Sequence, residues 1–238
     1  MLTGSITVGT RVARWWFTDR TDGQSVGAYA AGNLAGHVGD DPAIVRANRR
    51  ALDLVVGSAP ISWMGPVHGV DIAEIDRSTS LTPNVDALAT SAADVPLATL
   101  GADCVPVLLA AGDVVIAAHV GWQGFADGMT GSMVALLATH HIDPADAHVV
   151  LGPAICGACY GIPQDRADRI AAACTEAVTA ARNGGPGADI RLGLATQWKQ
   201  LGATVEIVGG CTFEDSQYFS HRRDGVTGRQ AGVIVWTA

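Results

Sequence analysis

Residues 95–120 read VPLATLGADCVPVLLAAGDVVIAAHV, and this stretch decides the fold. Two apolar runs lie between Val95 and Ala111, separated by the segment Gly101–Cys104, and a third spans Val114–Val120. The apolar residues are continuous rather than alternating, which is typical of strands buried on both faces. The stretch therefore predicts central strands that are covered by helices or by a second sheet.

Further elements are predicted on both sides of this stretch. Helix signals include Asp41 as an N-cap before Pro42 and a methionine- and leucine-containing pattern after Gly124. The predicted helices are 42–54, 124–140, 164–182 and 192–201, and the further predicted strands are 148–151, 205–208 and 231–236. Helices that alternate with buried strands predict an α/β fold with a mixed sheet.

The composition predicts one domain spanning residues 1–238. Hydrophobic residues make up 48% of the 238 residues, which is enough to bury a sizeable core. No apolar run reaches the roughly 18–20 residues that a membrane span needs, and no basic segment precedes an apolar one at the N-terminus. We therefore expect a cytoplasmic protein without a membrane partner.

Charge and cysteine content narrow the functional class. The net charge of −8 argues against nucleic-acid binding, which usually requires a basic face to neutralise phosphates. The five cysteines are odd in number and irregular in spacing, so they predict free thiols in a reducing compartment. Cys156 and Cys159 form a lone C-x-x-C, for which small apolar packing is the expected role.

Three residues stand in settings typical of a functional site. His119 ends an apolar strand and precedes a glycine turn, His68 lies in the segment PVHGV, and Cys104 follows Asp103 between two apolar runs. Two histidines and a cysteine match the ligands of a catalytic zinc, which keeps a fourth position open. The spacing also fits three separately buried, hydrogen-bonded side chains, since it forms no short metal-binding motif.

Five segments extend this interpretation to a known family. PVHGV, ADCVPVLLA, AAHVGWQGFADGM, LGPAI and FSHRRDGVTGR closely resemble the laccase-domain or YfiH-like family, as does the opening segment after Trp16. The resemblance runs to about Trp236 and implies a layered α/β/β/α fold with mixed sheets. It also implies that His68, Cys104 and His119 bind zinc.

The resemblance implies phosphate-dependent cleavage of purine nucleosides such as adenosine, inosine and methylthioadenosine, with adenosine deamination as a possible side activity. The expected partners are thus a small nucleoside and phosphate. Three alternatives stay open: a cysteine hydrolase that edits peptidoglycan precursors, a copper-dependent polyphenol oxidase, and a non-enzymatic binding module. A multicopper enzyme also needs a trinuclear cluster made almost wholly of imidazoles. The chain has seven histidines, most of them outside the matched motifs, and they are too few to supply such a cluster.

Several further residues are expected to contact substrate. Arg20 and Asn33 match polar positions of the family's opening, and Arg222 and Arg229 match its closing motif. Asp103 is predicted to act as a general base or to hold a ligand imidazole. The backbone N–H groups at Gly121–Gly124 are predicted to bind an anion where a helix begins.

The chain also departs from the family pattern. Pro66 stands where the family usually has glutamine, and Gly101 stands where it usually has threonine. Gln123 replaces a usual arginine, which could make a bidentate contact with an anion. We therefore expect weaker phosphate binding and a lower KM for phosphate in Gln123→Arg.

Overall fold

The computed structural model describes residues 1–57, 59–79 and 82–237. Its strands are β1 (Leu2–Val8), β2 (Arg11–Phe17), β3 (Ser62–Trp63), β4 (Ile72–Glu74), β5 (Ala87–Thr90), β6 (Leu97–Gly101), β7 (Val105–Ala111), β8 (Val114–Val120), β9 (His148–Leu151), β10 (Val178–Ala180), β11 (Pro186–Ala188), β12 (Thr204–Ile207) and β13 (Gln230–Trp236). Its helices are α1 (Pro42–Val56), α2 (Trp122–Ala126), α3 (Met129–Thr139), α4 (Gln164–Ala173), α5 (Ile190–Gln200) and α6 (His221–Asp224).

Two mixed sheets account for most of the strands. The first sheet has the order β1-β2-β13-β6-β3, and the second has the order β12-β9-β7-β8-β5-β4. The strands β7 and β8 pair antiparallel over their whole length, from Val105 opposite Val120 to Ala111 opposite Val114. The three apolar runs of residues 95–120 thus become β6 in the first sheet and two central strands of the second.

Three apolar layers hold the sheets and helices together. Leu97, Leu108 and Trp236 belong to the layer between the two sheets. A second layer lies between the six-stranded sheet and the helices α2 to α5, and a third lies between the five-stranded sheet and α1. The predicted α/β/β/α arrangement is confirmed, because each sheet buries one face on the other sheet and one on helices.

Several predicted elements agree closely with the structure. The side chain of Asp41 accepts the backbone N–H of Ala43 and caps α1, which ends at Gly57 in a left-handed conformation. The predicted strands at 114–120, 148–151 and 231–236 correspond to β8, β9 and β13. No helix in the described part of the chain is long and apolar enough to cross a membrane.

Two predicted helices are wrong in extent. The helix expected over 124–140 is split into α2 and α3 by Gly128, whose φ of 97° breaks the helical path. The helix expected over 164–182 ends at Ala173, since Cys174 is extended and Val178–Ala180 pairs with Pro186–Ala188. Pairing within this short hairpin overrides the helix propensity of the alanines. The hairpin of β1 and β2 is an element that the sequence reasoning missed.

Candidate metal centre

The pairing of β7 with β8 brings two of the predicted ligands to one end of the second sheet. Cys104 directly precedes β7, and His119 lies near the end of β8, where it faces Pro106 in the register. His68 comes from the loop between β3 and β4. The ligand atoms of the three side chains all lie within 4.8 Å of one another.

The local backbone is shaped to hold this group. His68 has a φ of 63° and Asp103 a φ of 103°, a conformation that residues other than glycine rarely adopt. A Cβ atom at Gly121 would lie 2.9 Å from Cδ2 of His68 and 3.2 Å from Sγ of Cys104. Glycine is therefore required at position 121 if the imidazole and the thiol are to approach each other.

The carboxylate of Asp86 contacts both the loop that carries His68 and the ring of His119. Its side chain is fully buried, and it accepts backbone N–H groups from Val67, His68 and Gly69 at 3.2, 2.9 and 2.7 Å. The same carboxylate lies 2.9 Å from Nδ1 of His119. Because Nδ1 donates to Asp86, Nε2 of His119 remains as the donor atom for a metal.

Electrostatics favour a thiolate at Cys104. Burial alone would raise the pKa of this thiol, but His119 and His68 outweigh burial and lower it to about 6. Burial alone would lower the pKa of His119, but Cys104 and Asp86 raise it to about 9. In the metal-free protein, the thiolate–imidazolium pair is therefore favoured between these two pH values.

This charge distribution predicts unusual reactivity in metal-stripped protein. The rate of Cys104 alkylation by iodoacetamide should rise with pH through about 6, because the thiolate is the nucleophile. Peptide mass mapping across a pH series measures the rate at each cysteine. Cys174 serves as an internal control, since burial and Glu176 raise its pKa. A midpoint for Cys104 near the ordinary value of 9.0 would contradict the proposed ion pair.

The donor set and its geometry fit a zinc ion. Zn–S and Zn–N bonds of about 2.3 and 2.0 Å place tetrahedral ligand atoms about 3.3–3.8 Å apart, so small movements from the present positions suffice. One thiolate, two imidazoles and an open position are the pattern of a catalytic rather than a structural zinc. The centre thus has the ligands, the charge and the supporting carboxylate that a metal requires.

Two cavities meet at His68 and Cys104. The first has a volume of about 230 Å³, and Trp122, Ile155, Tyr160 and Ile190 give it an aromatic and apolar wall. The second has a volume of about 340 Å³ and is lined by polar groups that include His37, His221 and Arg229. His68, Cys104 and His221 line both cavities.

The two predicted arginines of the closing motif lie in different cavities. Arg222 lines the first, where its guanidinium lies 4.8 Å from the centre of the Tyr160 ring. Arg229 lines the second, and its Nη1 donates to the carbonyls of Thr227 and Gly228. Burial lowers the pKa of Arg229, so a bound anion would stabilise its charged form.

Arg20 and Asn33 line neither cavity. Arg20 donates to the carbonyl of Ala30 and stacks 4.7 Å from the Phe219 ring centre. Asn33 is fully buried, and its Oδ1 accepts the backbone N–H of Arg229. Asn33 therefore positions Arg229 directly, whereas the predicted contacts of Arg20 and Asn33 with substrate remain predictions.

Asp103 lines the first cavity but does not hold a ligand imidazole. Its carboxylate oxygens accept the hydroxyl of Thr212 and the backbone N–H of Arg222, both at 2.7 Å. The carboxylate that contacts His119 is Asp86, so the prediction named the wrong aspartate for this contact. Asp86 precedes strand β5, far from the motifs in sequence, and only the pairing of β5 with β8 brings it to His119.

Gln123 and the glycine turn line the first cavity together with Trp122. The helix that begins there, α2, has only five residues. Its dipole is correspondingly weaker than that of the seventeen-residue helix 124–140 expected from sequence. Sequence reasoning also missed His37, Tyr160 and His221 as cavity residues, although His221 lies within the closing motif.

The layered fold and the His–Cys–His group together define an α/β protein with a group of potential metal ligands at the end of a buried sheet. The chain belongs to the family described as multi-copper polyphenol oxidoreductase laccase, which matches residues 14–237. This match confirms the laccase-domain resemblance found in the sequence.

Relatives and solved structures agree with this assignment. The purine nucleoside phosphorylase SCO2081 of Streptomyces coelicolor is 40% identical over 93% of this chain and 95% of the relative. The purine nucleoside phosphorylase Rv2149c of Mycobacterium tuberculosis is 37% identical over 98% of this chain and 94% of the relative. The crystal structure of Neisseria meningitidis NMB0706 has a TM-score of 0.90 and 32% identity, covering 100% of this chain and 99% of that one. The crystal structure of Bacillus licheniformis YfiH has a TM-score of 0.87 and 28% identity, covering 94% and 92%.

Proposed function

We propose that this protein is a purine nucleoside phosphorylase that uses a zinc ion held by His68, Cys104 and His119. The observation that carries the proposal is that two cavities meet at His68 and Cys104, with aromatic rings in the wall of the first and Arg229 in the wall of the second. The rings of Trp122 and Tyr160 in the first cavity suit a flat purine, and the guanidinium of Arg229 in the second suits phosphate. The names of the relatives from Streptomyces coelicolor and Mycobacterium tuberculosis support the same activity.

The proposed substrate position follows from the side chains that line each cavity. The base lies between the side chains of the first cavity, among them Trp122 and Tyr160, and the ribose lies beside the metal ligands. Phosphate lies in the second cavity, where Arg229 supplies a charge-assisted hydrogen bond. Adenosine, inosine and methylthioadenosine all present the purine and ribose that this arrangement requires.

In the proposed reaction, a phosphate oxygen bonds to C1′ of the ribose while the bond from C1′ to N9 breaks. The bonding electrons pass to the purine, which takes up a proton, and the products are free base and ribose 1-phosphate. Zinc, when bound, supplies a positive charge that stabilises negative charge on a reacting group. Arg229 orients the phosphate. Because the two cavities adjoin, phosphate and nucleoside are held side by side, and their reaction becomes effectively unimolecular.

His221 is the proposed proton donor for the leaving purine. Its side chain lines both cavities, so it lies at the junction where the glycosidic bond would be placed. Its Nδ1 lies 2.7 Å from the carbonyl of Gly225, which can only accept, so this nitrogen carries a hydrogen. Nε2 is therefore the atom that can gain and lose a proton near the substrate.

The direct test is incubation with adenosine in the presence and absence of phosphate, followed by identification of the products. We expect adenine and ribose 1-phosphate, formed only when phosphate is present. Formation of inosine or hypoxanthine would reveal the deaminase side activity. Release of free ribose at a rate independent of phosphate would contradict the phosphorylase and indicate a hydrolase.

The position of phosphate gives a second prediction. Arg229→Met should raise the KM for phosphate roughly 10- to 100-fold, because a charge-assisted contact contributes about 1.5–3 kcal/mol. Initial rates against phosphate concentration, with adenosine saturating, measure this change. Gln123→Arg adds an arginine to the first cavity, so comparing the two variants tests which cavity binds phosphate. A lower phosphate KM in Gln123→Arg with no change in Arg229→Met would place phosphate in the first cavity, beside Arg222.

A cysteine hydrolase is the second candidate, and the lowered pKa of Cys104 beside His119 favours it. A metal chelator distinguishes the two candidates. The phosphorylase should lose activity on chelation and recover it with zinc, whereas a hydrolase that uses Cys104 as nucleophile should keep its activity.

A multicopper oxidase fits the side chains less well. Such an enzyme needs a further cluster made almost wholly of imidazoles. Within residues 1–57, 59–79 and 82–237, the second group of potential metal ligands contains three cysteines and one glutamate. Elemental analysis for copper and zinc, combined with an absorption spectrum, tests this candidate.

A further inference from the structure

Three cysteines and a glutamate converge at a place separate from His68, Cys104 and His119. Cys156 and Cys159 lie after β9, and Cys211 and Glu214 lie after β12. The strands β9 and β12 are parallel neighbours, so the segments that leave them run side by side. A bridge between Ala154 and Cys211 continues this pairing beyond the strands.

Both segments present their ligands in the same way. Cys156 and Cys159 are three positions apart, as are Cys211 and Glu214. In each pair, the backbone N–H of the second residue donates to the carbonyl of the first, at 3.0 and 3.2 Å. These tight turns direct the two side chains of a pair to the same side, as in the C-x-x-C half of a zinc knuckle.

The four side chains form a nearly closed coordination shell. One ligand atom from each of Cys156, Cys159, Cys211 and Glu214 lies within 4.8 Å of all the others. Tetrahedral zinc with Zn–S bonds of about 2.3 Å needs sulfur atoms about 3.8 Å apart, so a contraction of about 1 Å suffices. The backbone N–H of Cys156 also donates to Sγ of Cys211 at 3.3 Å, so the two segments already contact each other at the cluster.

The three cysteines of the cluster are available as metal ligands. All three cysteines are free, and Cys211 is buried while Cys156 and Cys159 are half-buried. Arg182 forms an ion pair with Glu214 on the outer side of the cluster. A divalent cation among the three sulfur atoms would attract them as thiolates.

We propose that Cys156, Cys159, Cys211 and Glu214 form a second metal site, which binds zinc with all four coordination positions filled by the protein. The site shares no residue with the His68–Cys104–His119 group and does not depend on the proposed phosphorylase activity. A closed site with three thiolates is structural, because no position is open for substrate.

This second zinc would fix the wall of the substrate cavity. Ile155 and Tyr160, which flank the Cys156–Cys159 turn, both line the first cavity. Thr212 follows Cys211 and donates to Asp103, the residue before Cys104. The cation therefore would join two segments that shape the cavity and support one ligand of the other centre.

Metal content tests the proposal on the intact protein. We expect two equivalents of zinc per chain in wild type and in Cys174→Ser, a control cysteine outside both groups. Cys159→Ser and Cys211→Ser should each reduce the content to one equivalent. In a Cys104→Ser background, added cobalt(II) should still give a strong thiolate-to-metal charge-transfer band, which can then arise only from the second site.

Thiol protection gives a readout that needs no variant. In zinc-loaded wild type, Cys156, Cys159 and Cys211 should resist alkylation, and chelation should expose all three to the reagent. One equivalent of zinc in wild type that Cys211→Ser retains would overturn the proposal. Unchanged alkylation after chelation would also overturn it, as would a disulfide between Cys156 and Cys159 in protein purified without oxidant.

Discussion

Cys104→Ser should lose both its metal at the His68–Cys104–His119 centre and its turnover. The thiolate is the only soft, negatively charged ligand of this centre, and the serine hydroxyl replaces neither its charge nor its affinity for zinc. We expect metal affinity to fall by more than the roughly 10- to 100-fold that is typical of losing an outer contact. Competition with a chromophoric chelator and nucleoside turnover measure the two effects.

The free energy of unfolding should change much less than the activity of this variant. Cys104 is only half-buried, and the apolar layers on both sides of the second sheet are unaffected. Cys174→Ser is the matched control, since it removes a buried thiol that belongs to neither ligand group. If Cys104→Ser kept its metal and its turnover, the cysteine would have only a packing role.

Asp86→Asn should weaken metal binding roughly 10- to 100-fold, although Asp86 does not touch the metal. The carboxylate fixes the tautomer of His119 and holds three backbone N–H groups around His68. An asparagine amide has one acceptor oxygen in place of two, so at least one of these contacts is lost. Chelator competition at constant pH is the measurement.

Asp143→Asn is the control for this variant. The side chain of Asp143 accepts the backbone N–H of Ala145, and the residue lies outside both groups of potential metal ligands. Asp86→Asn should also raise the pKa of Cys104 in metal-free protein, because a less basic His119 stabilises the thiolate less. Equal metal affinity in wild type and Asp86→Asn would show that the loop around His68 is held by other contacts.

The sequence predicted the parts of the fold that depend on local pattern. The buried strands of residues 95–120 could be recognised because their apolar runs are continuous, and α1 could be recognised from the Asp41–Pro42 start. The helix expected to reach Arg182 failed because Val178–Ala180 pairs with Pro186–Ala188 in a short hairpin, whose Asn183–Gly184 turn competes with the helix propensity of the alanines. The break at Gly128 lies at a residue whose φ of 97° favours glycine.

The candidate site was predictable where it coincides with motifs and hidden where it does not. His68, Cys104 and His119 converge as predicted, because the ends of β7 and β8 meet. Asp86 carries no local signal, since an aspartate before a short apolar strand is common. Cys211 and Glu214 likewise carry no local signal in the sequence. Only the parallel pairing of β9 and β12 brings them close to Cys156 and Cys159.

The place of β13 in the first sheet determines the order in which the molecule can be completed during synthesis. This strand lies between β2 and β6, yet it follows every other described strand in the order of synthesis. The six-stranded sheet, which carries Cys104 and His119, can assemble once residue 207 has emerged. The five-stranded sheet stays in two parts until Gln230–Trp236 joins them, and Arg229 reaches the second cavity only with that strand. A nascent chain can therefore bring Cys104 and His119 together before Arg229 reaches the second cavity.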